Sequence, residues 1–398
     1  MTTQPKLSQQ QLIDWLRLIR TEGVGPRTFF SLINHYGGAS DALRALPDLM
    51  RQRGGKLVSL APLASVEQEL ERTRRFGARF IARGEADYPK ALAVIDSAPP
   101  LLTCIGPVVP ANQPLVSIVG SRNASMVGLK MAEKLGMELG GAGFGIVSGL
   151  ARGIDARAHH ASLATCAIAV VAGGLDQLYP EENRGLFEKL CQRGAVLSEM
   201  PFGWVARGRD FPRRNRIVSG LSLGTIVIEA ARKSGSLITA RFASEQGREV
   251  FAVPGSPFDL RAEGPNDLIR QGATLLRNSR DVLDVLNPII GKEFEPTTMF
   301  DSAGEKRDEP LWDEADWLGE GAYPAKGPAE PPFDGWSEDP APNPRDIILG
   351  LLTAAPVDPD DLCRSAQLSI REVNLILFGL ESDARLERHK GGKVSLRI

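Results

Sequence analysis

The chain has 398 residues, 42 % of them hydrophobic and 24 % charged, the make-up of a soluble globular protein with room for more than one domain. Its cysteines (Cys104, Cys166, Cys191, Cys363) are far apart with no Cys-x-x-Cys pair, and the adjacent His159 and His160 fall on different helix faces, so neither a disulfide framework nor a metal site is expected. The net charge of −2 argues against a nucleic-acid partner only on average: residues 111–284 carry 21 Lys/Arg against 17 Asp/Glu, whereas residues 291–343 carry 4 against 14.

Residues 1–13 lack the basic-then-apolar layout of a leader, and no apolar run approaches membrane-spanning length, so the expected location is cytoplasmic, with no membrane span. Residues 1–84 read as a small helical domain, with apolar positions at Leu12, Trp15, Leu16 and Ile19, then Phe29, Phe30, Leu32 and Ile33. Between the two stretches, Gly23-Val24-Gly25-Pro26-Arg27-Thr28 is similar to a helix-hairpin-helix turn, in a SAM-like setting; it reads equally well as a purely structural hairpin. Residues 85–110 form a proline-interrupted bridge.

From there to 290 the pattern alternates short apolar strands (116–119, 145–148, 167–171, 195–198, 225–228, 250–253) with helical stretches such as 126–139, 181–192 and 237–246. This alternation predicts an α/β fold with an extended Rossmann-like parallel sheet covered by helices on both faces. Residues 291–343 are rich in Pro, Gly, Asp and Glu and read as a linker. Periodicity returns over 344–398 as three helices and a hairpin around Lys390-Gly391-Gly392-Lys393, a winged helix. Its recognition helix, 369–382, has Arg371 as its only basic residue, which favours a protein-interaction role over duplex binding.

In an open α/β sheet, ligands bind beyond the carboxyl ends of the strands, so the residues after each strand carry the function. They read Gly120-Ser121-Arg122-Asn123-Ala124-Ser125, Gly149-Leu150-Ala151-Arg152-Gly153-Ile154-Asp155, Gly173-Gly174-Leu175-Asp176 with Tyr179-Pro180 and Asn183, and Arg232-Lys233-Ser234-Gly235-Ser236 after Glu229. Phe211-Pro212-Arg213-Arg214-Asn215-Arg216 lies between the fourth and fifth strands. Small residues admit an anion to helix N-termini, and arginines on the same loops bond phosphate oxygens. Several such loops on one rim suit a phosphodiester backbone better than one small molecule. Each glycine, taken alone, is also an ordinary tight turn, and Asp155 reads as a first-turn helix acid.

Dinucleotide binding fits poorly, because Arg122 and Ser125 stand where a G-x-G-x-x-G motif needs glycine, and there is no Walker A loop. No Ser/His/Asp set or paired-carboxylate spacing appears, so no catalytic residue and no cofactor are expected. Phe211 beside Arg213 is the candidate for stacking a base.

These motifs occur together, and in this order, in the bacterial DNA-processing protein A (DprA/Smf) family, which the chain resembles over residues 87–273. Tyr88-Pro89, Pro99-Pro100, Ser198-Glu199 and Pro254-Gly255 complete the set. The resemblance implies a protein, usually dimeric, that binds single-stranded DNA and loads the RecA recombinase during natural transformation. Arg122, Arg152, Arg213, Arg216 and Lys233 would then meet phosphates, with Gly120, Ser121, Gly149 and Gly235 admitting the backbone and Ser125, Asn215, Ser234 and Ser236 nearby. Two departures stand out: a shorter Gly173-Gly174 turn, and Pro265 before Asn266 where the family often has Gly-Thr or Gly-Cys. The competing reading is a nucleotide-binding or nucleotide-hydrolysing enzyme related to phosphoribohydrolases, whose Pro-Gly-Gly-x-Gly-Thr loop is replaced here by Arg232–Leu237. A scaffold using the winged helix and linker is a third reading, compatible with the first.

Overall fold

The computed structural model of the chain describes residues 6–52, 59–290 and 343–397, so the predicted linker lies outside the described residues except for Asn343. Four helices open the chain: α1 (Gln9–Ile19), α2 (Pro26–Tyr36), α3 (Ala39–Gln52) and α4 (Leu63–Arg75). Ser8 starts α1 with a capping box, its hydroxyl accepting from the Gln11 amide while the Gln11 side chain accepts from Ser8 N–H. Ile13, Leu16, Phe29, Leu32, Leu46 and Leu70 form the core of this unit. In the α1–α2 turn Gly23 adopts φ +79°, but Gly25 and Pro26 are buried and Arg27 pairs with Asp96 at 3.4 Å. That burial leaves Glu22, Gly23 and Arg27 as the exposed part of the turn.

The central sheet has nine strands: β1 (Arg79–Ala82), β2 (Leu101–Ile105), β3 (Leu115–Val119), β4 (Gly145–Ser148), β5 (Ala167–Val170), β6 (Ala195–Ser198), β7 (Gly224–Val227), β8 (Glu249–Ala252) and β9 (Thr274–Leu275). Their spatial order is β1-β2-β6-β5-β4-β3-β7-β8-β9. From β6 to β9 every pairing is parallel, while β1 and β2 add an antiparallel edge. The six predicted strands are β3 to β8. Every residue of β3 is buried, as a strand covered on both faces requires. The structure adds three strands: β1, which the sequence reading carried with the helices, β2, which it placed in the proline bridge, and the two-residue β9. β2 is buried on both faces and so shows no period of two.

The intervening helices are α5 (Lys90–Ala93), α6 (Met126–Gly141), α7 (Ile154–Ser162), α8 (Arg184–Arg193), α9 (Asp210–Gly220), α10 (Gly235–Glu245), α11 (Glu263–Arg270) and α12 (Ser279–Leu286). Pro265 sits in the first turn of α11, where a backbone donor has no intrahelical partner, so it costs no helix bond. Asn266 nonetheless holds the preceding loop, bonding Gly255 N–H and C=O at 3.2 and 3.0 Å. The chain runs β3 to β6 on one side, then crosses to β7 on the other side of β3. That reversal puts a crevice at the carboxyl ends of β3 and β7.

The winged helix consists of α13 (Pro344–Leu351), α14 (Pro359–Ala366), α15 (Ile370–Ser382) and the hairpin β10 (Leu386–Arg388) with β11 (Val394–Leu396). It packs on the sheet domain through an apolar cluster that includes Leu135, Phe251, Leu286, Ile348 and Leu362. Polar ties reinforce the contact: Lys130 pairs with Asp361, and Arg157 reaches Ser365 Oγ at 3.4 Å. On α15 Ile370, Leu375 and Phe378 are exposed among the polar residues Arg371, Glu372, Asn374, Glu381 and Ser382.

His159 on α7 is fully buried, and that burial, with His160 and Arg214 as neighbouring positive groups, pushes its pKa down to about 3 from an ordinary 6.5. The unfolded chain therefore takes up a proton below pH 6.5 that the folded chain refuses, and stability falls with pH through that window. At pH 5.5 the expected loss is about 1.4 kcal/mol relative to neutral pH. Urea melts of wild type and His159→Gln across pH 5–8 check this, because the difference between their pH slopes isolates the imidazole. Parallel slopes would refute it.

Candidate nucleic-acid interface

The loop after β3 leads into α6. Ser125 caps that helix, its hydroxyl accepting from Gly128 N–H at 3.0 Å. Glu229, at the end of β7, closes the same helix end: it accepts from Ser125 N–H at 2.9 Å and from the Ser125 hydroxyl at 2.5 Å. A side chain at Gly128 would sit 2.6 Å from that carboxylate. The N-terminus of α6, the phosphate site of a dinucleotide-binding fold, is thus filled by the protein's own carboxylate. Ser125 is buried and bonds within the protein, which corrects its assignment as a DNA contact. Gly120 is small for packing reasons, since a Cβ would lie 2.7 Å from Ile154. Ser121 is half-buried, and its carbonyl accepts from Ile154 N–H at 3.2 Å. Arg122 remains at the rim, half-buried, its guanidinium carbon 5.8 Å from the Phe211 ring centroid. Burial lowers its pKa, and Tyr179 and Asp155 oppose that shift.

Behind the loop after β4 is a buried arginine. Gly149 is itself buried, and a Cβ there would fall within 1.8 Å of the Arg214 guanidinium. Its missing side chain makes room for Arg214, which corrects the reading of Gly149 as a point of DNA approach. Arg214 donates to the Val170 carbonyl at 2.9 Å, and burial pushes its pKa down to about 10 despite the opposing charge of Asp155. Asp155 accepts from Gly149 N–H at 3.1 Å, so this first-turn acid also anchors the loop. Leu150, fully buried, adopts φ +55°, and Asn183 holds its carbonyl at 2.9 Å. Gly153, at φ +70°, lets the β3 and β4 loops touch, because a Cβ would come within 2.3 Å of Ser121 O. This framework presents Arg152 to solvent, paired with Glu182 at 2.6 Å. Such an exposed pair is worth only about 0–1 kcal/mol, so a phosphate can replace the glutamate.

The Phe211–Arg216 segment, read as a loop, is the first half of α9. Helical periodicity turns Phe211, Arg214, Ile217 and Val218 inward and leaves Arg213 half-exposed. Arg216 is 2 % exposed and bonds both Glu199 carboxylate oxygens at 2.5 Å and the Ser97 carbonyl. Its assignment to a DNA phosphate is corrected: it is a core ion pair. Glu199 also accepts from Arg213 Nε at 3.2 Å. Burial alone would raise the Glu199 pKa, but Arg213 and Arg216 hold it below the ordinary value. Asn215 donates to the Gly235 carbonyl at 3.1 Å, fixing α9 to α10. Phe211 is also buried, which removes it as a stacking surface. An exposed aromatic beside it is Tyr179, 39 % accessible, packed edge-on to Phe211 with ring centroids 5.6 Å apart. The sequence reading noted Tyr179 but gave it no role; its place after a strand end, next to a proline, was the available signal.

After β7, Ser234 caps α10, accepting from Ser236 N–H at 3.4 Å, and the two hydroxyls lie 2.7 Å apart. Arg232 and Lys233 are exposed, and the space beside Gly235 is open. This second helix N-terminus therefore remains accessible at the rim. Gly235→Ala is expected to change stability by no more than about 0.5 kcal/mol, because nothing occupies that space in the protein. A thermal melt checks it, and a larger loss would show that the loop is more crowded than it stands here.

The structure thus brings Arg122, Arg152, Arg213 and Lys233 to one rim, with the α10 N-terminus among them. Among the described residues no group of three or more His, Cys, Asp or Glu is placed to hold a metal ion, and no helix is long and apolar enough to cross a membrane. At the base of the rim, the cavity lined by Glu199, Asp210, Arg213 and Arg214 measures about 10 Å³. That is room for one water, whereas nucleotide-sized ligands occupy hundreds of cubic ångströms.

Residues 79–287 match the family described as DNA recombination-mediator protein A, residues 9–71 a DprA-like N-terminal HHH domain, and residues 330–392 a DprA winged helix domain. A Synechocystis protein named Smf is 37 % identical over 288 residues, covering 69 % of this chain and 72 % of its own length. The chain belongs to the DprA/Smf family. The DNA processing protein DprA of Bacillus subtilis is 42 % identical over 54 % of this chain and 73 % of its own. The crystal structure of DprA from Streptococcus pneumoniae superposes with a TM-score of 0.59 at 33 % identity, covering 71 % of this chain and 99 % of that one. This DprA/Smf chain thus shares the family's helical domain, sheet domain and winged helix.

Proposed function

We propose that the protein binds single-stranded DNA along the carboxyl-terminal rim of its parallel sheet, as a non-catalytic DNA-processing factor. The observation that carries this reading is that Arg122, Arg152 and Lys233, on three loops beyond the strand ends, and Arg213 on α9 are at least partly exposed beside the open N-terminus of α10. An open cationic rim with fixed loops tracks a phosphodiester backbone, and it offers no enclosed space for a small substrate. The names of the Bacillus subtilis and Streptococcus pneumoniae relatives support a role in DNA processing. The family's description as a recombination mediator supports the finer reading, in which a cytoplasmic homodimer protects the strand and loads RecA during natural transformation.

The test is affinity for single-stranded and duplex DNA across a salt series. Single strands are expected to bind more tightly, with a slope of about −0.7 per phosphate contacted, and Lys233→Ala to make that slope shallower by about 0.7. Equal affinity for both substrates, or an unchanged slope in Lys233→Ala, would reject the rim as the strand site.

A further inference from the structure

The rim carries an exposed aromatic that the reading above does not use. Phe258, in the loop after β8, is 81 % exposed, and Leu260 beside it is 70 % exposed. Burying a phenyl ring is favourable, and this one is left almost wholly in water on a well-braced loop. Asn266 spans Gly255 with two hydrogen bonds, Ser256 Oγ accepts from Phe258 N–H at 3.3 Å, and Asp259 N–H closes on Ser256 O at 3.0 Å. Arg261 clasps the Asp259 carboxylate at 3.0 and 3.1 Å and donates to the Gly350 and Leu352 carbonyls of the winged helix at 2.6 and 3.2 Å.

The loop is also continuous with the strand site. Ala230 N–H donates to Arg261 O at 2.7 Å, Gly264 N–H to Ala230 O at 2.9 Å, and Arg232 pairs with Glu263 at 3.4 Å. The β8 loop is therefore tied to the β7 loop that carries Lys233 and leads into α10. Along the rim the loops follow the sheet order β5, β4, β3, β7, β8, which places Tyr179 after one end strand and Phe258 after the other. The loops that carry Arg152, Arg122 and Lys233 lie between them in that order.

We propose that Phe258 is a base-stacking platform at the β8 end of the rim, opposite Tyr179, with Arg261 as the positioning residue that braces its loop against the winged helix. The proposal rests on the single-strand reading above. Cations along the rim hold the phosphates while an aromatic at each end receives a base, a division of labour that needs no base sequence. The winged helix then acts on DNA binding indirectly, by fixing the loop through the Gly350 and Leu352 carbonyls.

The experiment compares wild type, Phe258→Ala, Phe258→Trp and Lys233→Ala on an oligothymidine and on the same backbone with abasic sites, with circular dichroism to show that each variant is folded. Phe258→Ala is expected to weaken oligothymidine binding on the order of 5–100-fold with an unchanged salt slope, because a base contact and not a phosphate contact is lost. Phe258→Trp should restore affinity, and the gap between wild type and Phe258→Ala should close on the abasic backbone. If Phe258→Ala binds as wild type while Lys233→Ala is weakened, the platform is refuted and the single-strand reading stands. If the wild type shows no affinity for either oligonucleotide, both fall. If Phe258→Ala changes only the sedimenting mass, the loop is a contact between copies of the chain and the platform is refuted.

Discussion

Glu199→Ala is expected to destabilise the folded protein by about 3–5 kcal/mol, a large fraction of a typical domain's stability. The carboxylate is 6 % exposed and accepts from Arg216 at 2.5 Å through both oxygens and from Arg213 at 3.2 Å, while its backbone carbonyl accepts from Arg20 at 3.2 Å. Removing it leaves the Arg216 guanidinium, 2 % exposed, with no carboxylate to offset its lost hydration. Because the cost comes from the orphaned charge more than from the lost pair, the double variant Glu199→Leu with Arg216→Met should recover much of the loss. Urea unfolding of the two single variants and the double measures this directly. Additive losses in the double variant would show that the two side chains are not coupled and would refute the orphaned-charge account. The pH dependence is separable from that of His159. Glu199 has a lowered folded pKa, so its contribution is lost only below its ordinary value of 4.5, whereas the histidine acts from pH 6.5 downward.

Glu199 and Arg216 also show where a sequence stops being readable. β3 to β8 were legible because each is a short apolar run between turn residues, and parallel strands buried on both faces have no other pattern to show. The rim loops were legible for the same reason, since topology alone puts them at one end of the sheet. The direction of each arginine was not. Phe211-Pro212-Arg213-Arg214-Asn215-Arg216 has the density of charge expected of a loop. Only once it is wound into α9 do Arg214 and Arg216 turn inward, toward the distant carboxylates of Asp155 and Glu199. Glycines mislead in the same way. Gly149 looks like a point of ligand approach because its spacing is that of a βα turn, yet its space is taken by a guanidinium from a helix far along the chain. Glu229 was visible as a rim carboxylate, but its function as the cap of α6 depends on β7 lying next to β3, a pairing that local patterning does not encode. What the residues alone resolved was the set of loops. Which arginine of the Phe211–Arg216 segment turns inward depends on long-range partners such as Glu199 and Asp155.

Arg122→Ala is expected to lower affinity for single-stranded DNA by about 10–100-fold, the range for losing a hydrogen bond to a charged group of about 1.5–3 kcal/mol. Its guanidinium is half-buried over the Phe211 ring and close to Tyr179, so it is oriented before any strand arrives. A preoriented fork loses less side-chain entropy on binding than a flexible ammonium does, so Arg122→Lys should restore the salt slope but only part of the affinity. The slope itself should become shallower by about 0.7 in Arg122→Ala. Fluorescence anisotropy across a salt series reads both quantities at once. Arg152 provides the internal comparison, because it lies on the neighbouring strand's loop and carries the same charge. It is exposed and must first give up Glu182, at 2.6 Å. Exchanging one exposed partner for another yields little net energy, so Arg152→Ala should weaken binding less than Arg122→Ala at the same ionic strength. An equal effect of the two substitutions would mean that net charge alone drives association. The predicted ranking would mean that the fixed geometry of the β3 loop selects the strand.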